Sequence, residues 1–571
     1  MREISTDILI LGSGGAGLFA ALHAHQANPA LQVTVAVKGL LGKCGCTRMV
    51  QGGYNVALAK EDSVERHFMD TIEGGKWLPD QELAWKLVTL AVERIRELEN
   101  ELGCFFDRNP DGTVHQKAFA GQSFDRTVHK GDLTGIEIIN RLAEQVWSRN
   151  IGRLEEHRAV ELIKTRDGEA IAGVLMIDMR TGEYLLVRAK AVLLGTGGGP
   201  TMYKYHTPSC EKSCDGLAMA LRAGLALRDM EMVQFHPTGL YAGTHTRMTG
   251  TVLEEGLRGS GGYLLNGAQE RFMPKYDSRA ERATRDVVSR AMFAEMRSGN
   301  TTPNGGLYIS MAHLDRAMVK KQFRGMVERC ADCGFDLSGG LVEVVPTAHY
   351  MMGGVEIRSD CSSALPGLFV AGEDAGGVHG ANRLGGNGVA NSTVFGAVAG
   401  DAMAAWVARE DLRDPCKEAL EQALLRCEPK SANAPGSLEP IRERLYEVMW
   451  DKVGIIRNAA GLRFALSELA EIESELGRSG IAHADRAFNM SWHDWLNLKS
   501  LAEVSRVIAQ AALARNDSRG AHFREDFPDS GPLEQSGYTS LRMENFVLRV
   551  ETKPVSFTRV RPGETLLPGN H

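Results

Sequence analysis

Residues 7–25 read DILILGSGGAGLFAALHAH: an apolar run, a glycine cluster, then a helix-like stretch. Ile8, Leu9, Ile10 and Leu11 have the unbroken apolar character of a strand buried in a parallel sheet. Gly12, Gly14 and Gly17 then allow a tight turn, a close approach to a pyrophosphate and close packing of the next helix. The free N–H groups and positive end of that helix stabilise phosphates. Glycine-rich turns are common, and this one gains its weight from following a strand and opening a helix. The stretch predicts a dinucleotide socket.

Outward from that turn, VTVAVK (33–38) reads as the second strand. An acidic ribose partner is expected near its end, and Lys38 stands there instead. LLGKCGCTRMVQGG (40–53) is too glycine-rich for a helix and reads as a loop lying on the cofactor. PDQELAWKLVTLAVERIRELENELG (79–103) carries Leu83, Leu87, Leu90, Ile95, Leu98 and Leu102 at helical spacing, with Asp80 as N-cap and Gly103 as stop. AKAVLLGTGGG (189–199) and GLFVAGEDAGG (367–377) repeat the strand-to-glycine pattern far downstream. Three such turns predict one large doubly wound α/β domain interrupted by an insertion. Residues from about 420 to 525, rich in Leu, Ala, Glu and Arg, predict a helical domain. The tail, with VLRV and PVSFTRV, predicts short edge strands or an extended arm.

At 571 residues the chain exceeds one ordinary core, so several domains are expected. Hydrophobic content of 43% and charged content of 24% are typical of a soluble globular protein. A formal charge of -7 argues against broad nucleic-acid binding, which needs a basic surface. MREISTDILI passes straight into the first strand, and no apolar run is long enough to span a bilayer. The expectation is a cytoplasmic protein with no membrane insertion of its own, attached to the inner membrane, if at all, through partner subunits. The 10 cysteines read as reduced thiols. Cys330/Cys333 and Cys210/Cys214 lack a second ligand pair for zinc, and no four-cysteine iron–sulfur run exists, so no metal is expected.

These turns, with QFHPTG (234–239), PTAHYMMGG (346–354), HGANRLGGNGVAN (379–391) and SRGAHFRED (518–526), resemble the succinate dehydrogenase/fumarate reductase flavoprotein family, which includes L-aspartate oxidase. The resemblance covers nearly the whole chain, and its last motif looks like part of the family's C-terminal helical region. It implies a doubly wound FAD-binding domain (1–240 and 350–415), an α+β capping domain (241–349), a helical domain (416–528) and a C-terminal extension (529–571). It accounts for Lys38, which the family carries in place of the acid. By position, FAD would contact Gly12, Ser13, Gly14, Gly15, Ala16, Gly17, Lys38, Cys46, Thr47, Gly52 and Gly53. Downstream it would contact Thr196, Gly197, Gly198, Asp215, Glu373, Asn387, Gly388 and Val389.

The family's chemistry moves a hydride between flavin and one carbon of a dicarboxylate, and a proton at the neighbouring carbon. His236, His349 and Arg383 match its carboxylate-binding residues, and a guanidinium fork suits two-point contact with a carboxylate. Arg285 matches the proton donor. Arginine is a very weak acid, and the family answers with a relay, here Glu255 and Arg258, three residues apart.

Three departures stand out. Glu254 occupies a substrate-binding position where the family has Thr, and an anion there repels a dicarboxylate unless protonated or paired. The segment 239–253 is longer than the family leads one to expect, so a reshaped wall follows, with Arg247 placed to pair with Glu254. Cys46 stands where respiratory members carry a flavin-linking His; a cysteinyl link is open, and non-covalent FAD is favoured. The expected activity interconverts a saturated carboxylic acid and its α,β-unsaturated partner, with electrons exchanged with an iron–sulfur or other electron-transfer subunit. The alternatives are amino-acid oxidation, with Glu254 as ammonium partner, and a purely electron-transferring role within a complex.

Overall fold

The computed structural model describes residues 1–568 apart from 210, 244–245, 430–436, 482, 484 and 546. Cys210, and with it the Cys210/Cys214 pair, lies outside the described residues.

The first strand, Arg2–Leu11, runs parallel to Val33–Val37 on one side and Tyr184–Leu194 on the other. Gly152–Glu155 extends the sheet beyond Val33–Val37, and Leu368–Val370 adds in parallel to the end of Tyr184–Leu194. An antiparallel meander, His157–Lys164 and Ile171–Asp178, completes the seven strands. Ile8, Leu9 and Ile10 are fully buried, as a strand covered on both faces requires. Gly12 turns the chain at φ +109, where a Cβ would stand 2.1 Å from the Gly195 carbonyl oxygen. The helix Gly15–Ala27 packs on Asn387–Val407, and a Cβ at Gly400 would meet the Ala20 carbonyl oxygen at 2.5 Å. Asp80 caps the helix Gln81–Asn100 by accepting from the Glu82 and Leu83 N–H groups.

A second sheet stands over the strand ends. Its antiparallel order is Val233–Leu240, Leu341–Met351, Leu307–Ser310, Tyr263–Leu265. The histidine motifs therefore sit on neighbouring strands of one sheet. Four helices follow: Lys417–Cys427, Glu439–Lys452, Ala459–Arg478 and Met490–Ala514. Their Leu469, Trp492 and Leu498 share one buried cluster with Val174 of the meander and Val187 of Tyr184–Leu194. The C-terminal hairpin Gly537–Glu544/Val547–Pro554 pairs with the short strand Leu227–Arg228.

Two expectations are corrected, and the one for the tail resolves between its two alternatives. Residues 518–526 are turns and bridges, not helix, because Arg519 and Arg524 turn inward to hold chain carbonyls. PVSFTRV leaves the hairpin at Pro554 and runs on without pairing as a strand. Arg247 is exposed, and Glu254 pairs with Lys117 instead. No helix among the described residues is long and apolar enough to cross a membrane.

Candidate active site

Val233–Leu240 and Leu341–Met351 form the floor of the site. Strand alternation puts Gln234 and His236 on one face. Opposite them the register jumps from Gln234↔Tyr350 to Phe235↔Ala348, which leaves His349 as the extra residue of a bulge. A bulge re-aims its side chain, and here it brings the imidazoles of His236 and His349 to 5.4 Å between ring centres. The Thr238 N–H donates to His236 Nδ1 at 3.3 Å, so the neutral ring carries its proton on Nε2. Thr207 Oγ1 holds His349 Nδ1 at 2.7 Å. Burial pushes both histidines well below their ordinary pKa, and the guanidiniums of Arg285 and Arg383 push the same way. Both rings are neutral at pH 7.

Two guanidiniums meet at one acceptor. Arg285 Nη1 and Arg383 Nη2 each donate to Gln234 Oε1 at 3.1 Å. Arg285 is the first residue of the helix Arg285–Arg297, where the positive helix end opposes its charge. Glu255 offsets that, accepting from Arg285 Nη2 at 2.7 Å and from Arg258 Nη2 at 3.1 Å. Burial works to raise the Glu255 pKa, but its two arginines outweigh burial and hold it below the ordinary value. Burial and then the neighbouring Arg285 push Arg383 down to about 10. The Arg383 guanidinium lies over the Tyr350 ring at 4.3 Å, and its Nε has no partner among the described residues. Phe119 packs beside this cluster: a Cβ at Gly385 would meet Phe119 Cδ2 and Glu255 Oε2 at 2.6 Å each. Two imidazoles and two guanidiniums with a spare donor have the hydrogen-bonding chemistry that suits carboxylate groups.

Glu254 points elsewhere. It is buried and ion-paired with Lys117 on the short strand Gln116–Lys117. Burial raises its pKa and Lys117 opposes the rise. The structure thus joins six of the seven expected substrate and catalytic residues and sets Glu254 aside. Gln234 and Phe119 are members that sequence reasoning missed. Gln234 was legible from its place two residues before His236 on a strand; Phe119 carries no comparable signal.

Beneath this cluster, Gly12, Ser13, Gly14, Lys38, Thr196, Gly197 and Asp215 line a cleft. The helix behind it starts at Gly15 with no side-chain cap and no acid in its first turn, so its orphan N–H groups suit a phosphate. Thr47 Oγ1 accepts from the Gly15 N–H at 3.1 Å, which lays the 40–53 loop against that turn. Lys38 Nζ donates to Asp215 at 2.9 Å, and Arg158 reaches the other Asp215 oxygen at 2.7 Å. Burial pushes Lys38 down to about 8 against the pull of Asp215. Lys212, another cation of the cleft, was not anticipated. Glu373 accepts from the Met351 and Gly199 N–H groups, and Gly198 packs between Met351 and Glu373. Ala16 backs onto Gly372, Gly52 onto Phe119 and Gly53 onto Val128. Asn387, Gly388 and Val389 open the helix Asn387–Val407; Asn387 is turned onto Asn55 and His67, and Gly388 underlies Arg383. Desolvation pushes the Cys46 thiol up to about 12. An uncapped helix start opening on a long cleft with cations along it fits a dinucleotide. Among the described residues no group of three or more His, Cys, Asp and Glu side chains could hold a metal ion.

A family model described as an FAD binding domain matches residues 7–389, and one described as the fumarate reductase flavoprotein C-term matches residues 442–566. A fumarate reductase (CoM/CoB) subunit of Methanothermobacter marburgensis is 40% identical over 533 residues, covering 92% of this chain and 95% of that one. The fumarate reductase flavoprotein subunit of Mycobacterium tuberculosis is 34% identical and covers 98% of each chain. A solved point variant of E. coli quinol fumarate reductase superposes with a TM-score of 0.93 at 31% identity, covering 99% of both chains. Fold and site together define an FAD-dependent oxidoreductase acting on CH–CH bonds. The chain belongs to the succinate dehydrogenase/fumarate reductase flavoprotein family.

Proposed function

We propose that this chain interconverts a saturated dicarboxylate and its α,β-unsaturated partner, as between succinate and fumarate, with Arg285 carrying the proton. The observation that bears most weight is Gln234 Oε1, which accepts from both Arg285 and Arg383 at 3.1 Å. It holds a proton donor and a carboxylate clamp side by side. Arg383 and the neutral His236 and His349 bind the carboxylates; their preset donors stabilise the charge that builds on a carboxylate during reduction. Bound FAD supplies the hydride, held along Gly12–Gly17, Lys38, the 46–53 loop, Thr196–Gly198, Asp215, Glu373 and 387–389. Arg285 gives a proton to the neighbouring substrate carbon. Glu255 and Arg258, already hydrogen-bonded in line with it, return the proton from outside.

Lys117 neutralises Glu254, which removes the repulsion an anion there would offer a dicarboxylate. The same pairing occupies the carboxylate that an amino-acid oxidase would turn to an ammonium group. Several relatives are named as subunits, which supports electron exchange with a separate iron–sulfur or other carrier subunit. We place the chain in the cytoplasm, reaching the inner membrane only through such partners.

The test is turnover with an artificial dye, offering succinate, fumarate and L-aspartate separately. Fumarate reduction or succinate oxidation is expected. Peroxide formation from L-aspartate without either reaction would reject the proposal. Arg285→Ala is expected to lower kcat by about a thousandfold with bound FAD unchanged; unaltered turnover would favour a purely electron-transferring subunit.

A further inference from the structure

The cofactor cleft does not end at Asp215. A second cavity shares Arg158, Ala159 and Asp215 with it and continues beneath Leu496, Lys499 and Ser500 of the helix Met490–Ala514. His493, Leu496, Asn497 and Ser500 fall at i, i+3, i+4 and i+7, one face of that helix.

The face is polar where it meets the cleft. Asn497 Oδ1 accepts from Lys38 Nζ at 3.2 Å and from Arg158 Nη1 at 2.7 Å. Ser500 Oγ donates to Asp215 at 3.1 Å, and the His493 carbonyl accepts from Arg158 Nη1 at 2.7 Å. The His493 side chain is buried, and neither ring nitrogen has a partner among the described residues. Burial, then Arg158 and Lys38, push it down to about 3, so it is a neutral ring with one donor and one acceptor unused. A buried polar group left unpaired carries a penalty that a ligand can relieve.

With phosphates at the uncapped helix start, the ribose of a dinucleotide falls near the end of the second strand, where Lys38 stands. The base then lies beyond Lys38, toward Ala159 and the second cavity. We infer that the helical domain completes the adenosine end of the cofactor site. Leu496 walls the base, and Asn497 positions Lys38 and Arg158. Asn497 is a positioning residue in this scheme. The inference rests on the placement of FAD in the cleft proposed above.

The experiment titrates flavin-stripped protein with FAD and with ADP, which carries the adenosine half alone. Asn497→Ala and Leu496→Trp are expected to weaken both ligands by about tenfold, with the unfolding midpoint of the stripped protein unchanged. Asn497→Asp, which keeps the acceptor oxygen, is expected to restore binding. Unchanged affinity for FAD and ADP in Asn497→Ala and Leu496→Trp overturns the inference. So does a loss that tracks a lowered unfolding midpoint and is not restored by Asp. If ADP fails to compete with FAD in the unaltered chain, the placement of the cofactor fails first, and the inference with it.

Discussion

Like charges repel, yet Arg285 and Arg383 share the amide oxygen of Gln234, whose own NH2 is fixed by Asn382 Oδ1 and the Arg383 carbonyl. The cluster is stable because Glu255 stands between Arg285 and Arg258 as the compensating anion. Removing that charge while keeping its shape should break the proton return without emptying the site. Glu255→Gln is therefore expected to lower dye-linked turnover by about a hundredfold at unchanged FAD content; a change under about threefold would remove Glu255 from the relay. The histidines make a different prediction. Their pKa values lie well below 6.5, so neither His236 nor His349 takes up its proton near the ordinary histidine value on acidification from neutrality. The pH profile of kcat/KM, which reports the free enzyme, should show no limb near 6.5. Cys46 is held as a thiol, not the thiolate that a flavin link needs. Acid precipitation should leave the yellow colour in solution. His236, His349, Arg383, Arg285, Glu255 and Arg258 were legible because they are chemically unusual residues inside ordered motifs. Lys117 was not, since it reaches Glu254 from a distant two-residue strand that no local pattern marks.

Between elements, that ion pair ties the strand Gln116–Lys117 to the turn entering the helix Gly256–Gly259, with Glu254 nearly inaccessible to water. Removing the cation alone leaves an uncompensated carboxylate, a change worth about 3 kcal/mol or more. Lys117→Met should lower the unfolding midpoint, and Lys117→Met combined with Glu254→Thr should recover it, because the second change removes the stranded charge. A Lys117→Met protein as stable as the parent would show that the pair contributes nothing. The same distinction between local and long-range contacts explains which elements the sequence disclosed. Strand segments such as 8–11 and 191–194 announce themselves by unbroken apolar runs ending in glycine, and the helix Gln81–Asn100 by its period and cap. The stretch 518–526 misled because its form depends on distant partners: Arg519 is held by carbonyls of residues 530 and 532, and Arg524 by those of 512 and 515. No periodicity encodes such contacts.

Across the whole molecule, the burial that shapes the site also fixes a charge state. His67 and His129 are pushed down to about 4 and His493 to about 3, His206 is lowered, and His236, His349, His379 and His522 lie well below 6.5. Burial is the leading cause for each. Among the described residues only His23 goes the other way: burial opposes its protonation, but Asp401 and Glu97 raise its pKa. A histidine with a depressed folded pKa binds fewer protons than in the unfolded chain throughout the interval between the two values. Stability therefore rises with pH across that interval and is lost on acidification below about 6.5, by up to about 1.4 kcal/mol per unit for each such group. His23 contributes in the opposite sense, most fully below 6.5, and one such histidine cannot offset eight. Glu255 and Asp215, held low by their arginine and lysine partners, add their own loss only near the ordinary carboxylate range. The urea midpoint of the FAD-loaded protein should fall from pH 7.5 to pH 5, with Asp229, which burial pushes up to about 6, opposing the fall in its lower part. A midpoint that stays level over that range would mean these imidazoles already carry protons in the folded chain, and the neutral hydrogen-bonding roles given to His236 and His349 would go with it.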